Sequence, residues 1–186
     1  MQWIFRRLGS FALATIALLL APAASARVEV SFYSVQTSLT SLRSVHAFFT
    51  LKGTLDADGT VIDENYGFSA KNSSIGFLFH PVKQTMLIEK QDYIDRANYH
   101  FSVPISDETY HEIIAEVQTW WHDPEYLWDI DERNCVTFVG VVAQMSGLKV
   151  DFPKKMMRKP KTYLTHIGSL NPAVLALQDA PGKSNN

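Results

Sequence analysis

Cys135 is the only cysteine in 186 residues, and it opens the run Asn134-Cys135-Val136-Thr137-Phe138-Val139. An asparagine before an apolar run reads as a helix N-cap, which puts the thiol at the first helical position. There the unpaired N–H groups and the positive end of the helix dipole favour thiolate over thiol. A thiolate attacks carbonyl carbon, and the cysteine's own N–H can help stabilise the oxyanion that follows. The opposing reading is a small buried hydrophobe, a common role for a free cysteine.

A nucleophilic thiol needs a base, and the chain has six histidines. His111 falls on the exposed side of an expected helix and His122 at that helix's frayed end. His80 precedes Pro81 in a turn, and His166 lies in the C-terminal tail. His46 and His100 each sit inside an expected strand, a rigid element from which an imidazole can be aimed. Both are equally readable as half-buried strand histidines. His46 has the small Ala47 beside it, which leaves room for a substrate. With no His-x-x-x-His and no second cysteine there is no zinc-ligand pattern, so neither metal nor cofactor is expected.

Trp120, Trp121, Tyr126 and Trp128 flank the polar stretch before Cys135. Tyr126 and Trp128 are the substrate-binding candidates, against the competing role of core and lid packing. Lys154, Lys155, Arg158, Lys159 and Lys161 crowd eight residues. They read either as a patch for an anionic polymer or membrane surface, or as a solvated loop.

The N-terminus reads as an export signal over residues 1–26. Arg6 and Arg7 precede the apolar Phe11–Leu20, and Ala24-Ser25-Ala26 supplies a cleavage site. The apolar run falls short of the roughly 20 residues a spanning helix needs, so cleavage is expected over a retained anchor. A lone cysteine in an oxidising compartment points to intermolecular pairing or a reactive thiol. Cleavage leaves 15 basic against 19 acidic residues, a net charge of −4. That balance predicts a soluble periplasmic or secreted monomer without affinity for nucleic acid, and no later segment is apolar enough to span a membrane.

The elements that must position these groups divide the chain in two. Val28, Val30 and Phe32 alternate with polar neighbours as in a half-buried strand. Ser44–Leu51 reads as a second strand, and Asp58-Gly59 as a hairpin turn into Thr60–Gly67. Ile75–Phe79, Thr85–Glu89 and Tyr99–Val103 complete the expected sheet. After Ser106, a good N-cap, Tyr110, Ile113, Ile114, Val117 and Trp121 recur at helical spacing, predicting a helix over 107–121. The next helix runs from Cys135 to a left-handed Gly147. The tail from Asp151 reads as irregular around Pro153, Pro160 and Pro172, with 179–186 disordered. One domain over 27–178 accounts for the whole pattern.

His46-Ala47-Phe48-Phe49, the segment Gly59-Thr60…Tyr66-Gly67-Phe68 and the helix start Asn134-Cys135 together resemble the circularly permuted papain-like superfamily. This is the NlpC-type amidase clan that includes the lecithin–retinol acyltransferase branch. The resemblance implies an α+β fold, an antiparallel sheet with the nucleophile-bearing helix packed on it, and a catalytic histidine ahead of the cysteine. On that implication Cys135 and His46 are catalytic. A third polar residue on the following strand, one of Asp63, Glu64, Asn65 or Tyr66, orients the imidazole, with Asn65 chosen as a neutral amide acceptor. The implied activity is amide hydrolysis through a thioester, on peptides such as those of peptidoglycan. Two alternatives stand beside it. One is acyl transfer or thioester hydrolysis on a lipid or ester by the same dyad. The other is a non-catalytic secreted envelope protein with a buried cysteine.

Overall fold

Val28, Val30 and Phe32 lie fully buried along one face of β1 (Val28–Gln36), as their alternation requires. The computed structural model describes residues 27–36, 45–71 and 75–178. The expected signal segment 1–26 and tail 179–186 fall outside them. Four further strands follow: β2 (Val45–Thr54), β3 (Val61–Ala70), β4 (Gln84–Leu87) and β5 (Asn98–Ile105). They form one antiparallel sheet in the order β4-β3-β2-β1-β5. The turn between β2 and β3 is the one Asp58-Gly59 announces. Gly59 takes φ +76°, and Asp58 Oδ1 accepts from the Thr60 N–H at 2.9 Å.

The two faces of the sheet differ. Val30, Phe32, Phe49, Leu51, Ile62 and Phe68 face the helices and join the main core. Three helices supply most of its other half: α2 (Asp107–His122), α3 (Cys135–Met145) and α4 (Pro160–Leu170). Phe138 of α3 is central, its ring 5.6 Å from Phe49, 5.9 Å from Phe68 and 5.1 Å from Trp120. On the opposite face His46, Phe48 and Thr50 share one side of β2, and the short α1 (Gln91–Ile94) packs Tyr93 against Phe48 at 5.9 Å.

Several expectations are corrected. Ile75–Phe79 is a single 3₁₀ turn over Ile75–Leu78, closed by Phe79 and His80 N–H bonds to the Gly76 carbonyl. An apolar run without alternation does not distinguish the two conformations. The helix over 107–122 buries Trp120 and leaves Trp121 partly covered, one position off the expected apolar face. The tail is not irregular: α4 and α5 (Pro172–Gln178) both begin at a proline. A first-turn helical N–H has no acceptor, so proline costs nothing there and its fixed φ suits the helix. Among the described residues no helix is long and apolar enough to cross a membrane.

Phe138→Ala leaves a cavity among three aromatic rings, those of Phe49, Phe68 and Trp120. Urea unfolding should show a loss of about 3–5 kcal/mol with an unchanged m-value.

Candidate active site

Asn134 builds the start of α3. Its Oδ1 accepts from the N–H of Val136 at 2.7 Å and of Thr137 at 3.3 Å, while Thr137 Oγ1 accepts from the Asn134 N–H at 2.8 Å. This is a reciprocal capping box with threonine in the third position. The amide's other end donates to the carbonyls of Ile130, at 2.6 Å, and Met157, at 2.9 Å. One side chain, 3% exposed, thereby fixes the head of the helix and the two segments on either side of it.

The Cys135 sulfur follows directly on this cap. Backbone N–H groups of Ala47, Cys135 and Val136 lie near it and act to hold its pKa down, that of Val136 while donating to Asn134 Oδ1. The β2–β3 ladder runs from Thr54↔Val61 only as far as Phe49↔Tyr66, so the Ala47 N–H lies beyond its last pair. Burial outweighs these donors. Cys135 is 9% exposed, and its thiol is pushed up to about 11. The helix start is expected to favour thiolate; around the buried sulfur desolvation dominates and the thiol keeps its proton.

His46 stands one residue before Ala47, on the face of β2 away from α3. Sulfur and imidazole approach the end of the β2–β3 ladder from opposite sides, and no hydrogen bond joins them. The ring lies nearly parallel to that of Phe48, with centroids 6.1 Å apart. It leans over Gly67, where a Cβ would come within 2.3 Å of Nε2. Glycine at 67 is what lets the imidazole lie there. Burial pulls its pKa down to about 4. Nε2 is buried without a hydrogen bond, and the acidic atom facing it is Glu89 Oε1, at 3.5 Å.

Glu89 comes from the connection between β4 and α1, a position the sequence reading did not select. Asn65 fixes its backbone. Asn65 Oδ1 accepts from the Glu89 N–H at 2.6 Å, and Nδ2 donates to the Glu89 carbonyl at 3.1 Å. Asn65 was expected to orient the imidazole directly; instead it holds the loop whose carboxylate faces it. The other strand candidates also have partners elsewhere. Asp63 pairs with Lys52 at 3.1 Å, and Glu64 accepts from the hydroxyls of Tyr66 and Tyr110. Burial raises the Glu89 carboxyl. The Tyr93 hydroxyl is pushed up to about 12, by burial first and then by the charges of Glu89 and Cys135, so it lies in the field of both.

Trp128 and Tyr126 separate. Trp128 lines a pocket of about 60 Å³ against Cys135, together with Val45, Ile130, Val136, Met157 and Arg158. Tyr126 is not part of that lining; its ring packs on Trp120 at 5.6 Å and lies under the Arg133 guanidinium at 4.7 Å. His100, the other strand candidate for a base, is the extra residue of a bulge between β1 and β5. Its Nε2 is engaged by Ser34 Oγ at 2.8 Å. His166 pairs with Asp151 at 2.7 Å. Among the described residues, no group of three or more His, Cys, Asp or Glu side chains could hold a metal ion.

Two outcomes follow from these environments. At pH 7 iodoacetamide should alkylate Cys135 more slowly in the folded protein than in urea, with the folded rate climbing up to a pH of about 11. His46 has a folded pKa near 4, below its unfolded 6.5, so the unfolded chain binds the extra proton between those values. Stability should therefore be full above pH 6.5 and fall as the pH drops towards 4, by about 3 kcal/mol from this group. His46→Gln should make the slope of unfolding free energy against pH shallower over that window.

Compared with family models, with curated proteins and with solved structures, the chain finds no match.

Proposed function

We propose that this chain is an exported cysteine hydrolase that cleaves amide bonds through a thioester, with cell-wall peptides as its substrate. The observation that carries the reading is the setting of the Cys135 sulfur. It sits at the head of α3 under the N–H groups of Ala47, Cys135 and Val136, next along β2 from an imidazole backed by Glu89. The order of parts, a strand histidine followed by a cysteine opening a helix on an antiparallel sheet, supports a permuted papain-like arrangement.

At rest both groups are neutral, which favours general-base attack over a standing ion pair. With Nε2 turned to Glu89, Nδ1 offers the lone pair. For Nδ1 to take the thiol proton as sulfur bonds to the carbonyl carbon, the imidazole must leave its rest position on the far face of β2 and reach the sulfur. The Ala47 and Cys135 N–H groups then stabilise the oxyanion. Collapse of the intermediate breaks the C–N bond. The amine leaves with the proton from His46, and water hydrolyses the thioester to acid and free thiol.

A second reading is favoured by the burial itself: a non-catalytic envelope protein in which the thiol is a core residue. Incubating the protein with muropeptides and, separately, with phospholipids, and following products by mass spectrometry, separates these. Peptide cleavage should disappear in Cys135→Ala and slow by about 10²–10⁴-fold in His46→Ala. Cleavage that survives Cys135→Ala, or no product from either substrate, defeats the hydrolase reading. Phospholipid products alone would move the dyad to lipid acyl transfer.

A further inference from the structure

The pocket against Cys135 has a charged rim that this chemistry does not use. Met157, Arg158 and Pro160 in its wall belong to the stretch Lys154–Lys161, which holds five cations and no acid. Lys154, Lys155, Lys159 and Lys161 are exposed, whereas Met157 is buried and its carbonyl is held by Asn134. The basic stretch is thus tied to the cap of the nucleophile's own helix. Val45, Trp128, Ile130, Val136 and Pro160 keep the rest of the wall largely apolar, so Arg158 is its one charged member among the described residues.

A carboxylate already occupies that guanidinium. Arg158 donates from Nε and Nη2 to the two oxygens of Asp131, each at 2.6 Å. This is the two-bond geometry by which a guanidinium fork recognises a planar carboxylate. Both side chains are about half exposed, at 46% and 60%, so the pair is held weakly enough to exchange with a competing anion. Asp129 also acts on Arg158, so the exposed lysines of the stretch are what keep the rim attractive to a negative group.

We propose that the substrate of Cys135 carries a carboxylate beside the carbonyl under attack, and that Arg158 binds it in exchange for Asp131. This deepens the reading of Cys135 as nucleophile and rests on it. It narrows the substrate to acidic acyl compounds, such as a peptide with a free carboxylate flanking the scissile amide. Arg158 is the specificity-determining residue, and Asp131 is the group that fills its fork at rest.

The test compares iodoacetate with iodoacetamide, reagents of similar size in which the same thiolate displaces iodide and only one carries a carboxylate. Rates are followed by mass spectrometry at one pH, and each is divided by the rate for the urea-unfolded chain. The thiolate fraction then cancels from the ratio of the two reagents. The folded protein should favour iodoacetate by about fivefold over the unfolded chain, the size of an exposed ion-pair gain. Arg158→Gln should abolish the preference and Asp131→Asn should increase it, while 0.5 M salt diminishes it. A folded ratio no higher than the unfolded one, or a preference that survives Arg158→Gln, overturns the proposal. His46→Ala should leave the ratio unchanged while slowing peptide cleavage by about 10²–10⁴-fold, so the selectivity and the hydrolase reading fail by separate measurements.

Discussion

The site depends on a single buried amide. Asn134 divides its side chain between two tasks, capping α3 through its oxygen and holding the Ile130 and Met157 carbonyls through its nitrogen. Each bond satisfies a group that burial would otherwise leave unpaired. The placement of Cys135 at the first helical position, the wall carrying Ile130 and the wall carrying Met157 and Arg158 are therefore one construction. A capping residue with only an oxygen would serve the helix and release the walls. The side chain that starts the helix is also the one that shapes the pocket.

Burial sets the electrostatic character of what Asn134 holds. The helix start and three N–H donors all favour a negative sulfur, yet the thiol is pushed up to about 11 because water is excluded from it. The same exclusion lowers His46 to about 4 and raises Glu89. Burial thus leaves the thiol and the imidazole neutral near pH 7 and shifts the Glu89 carboxyl in the same direction, towards its uncharged form. Sulfur and imidazole lie on opposite sides of a sheet whose β2–β3 pairing ends between them, with Gly67 providing the space for the ring.

Much of the scaffold was legible in the residues. The alternation of Val28, Val30 and Phe32 fixes a strand face because a strand's period is two, and Asp58-Gly59 fixes a turn because few residues tolerate its φ. Ser106 and Asn134 mark helix starts through hydrogen bonds that span two or three residues. Reading failed where the deciding contact was remote or the local signal ambiguous. Pro160 and Pro172 read as interruptions of an irregular tail but are helix starts, and the apolar Ile75–Leu78 fits a strand as well as a 3₁₀ turn.

The sequence alone determined that Cys135 opens a helix and that His46 lies on a strand, since both follow from short-range backbone preferences and hydrogen bonds. Tertiary structure decided the rest. It put Glu89, 43 residues on in the chain, against the His46 ring and gave Asn65 the task of holding it. It set Arg158 at the mouth of the pocket and sent Tyr126 to another surface. It also chose protonated thiol over thiolate, because desolvation is a property of everything packed around an atom, and the residues beside Cys135 in the chain carry only the part that pulls the other way.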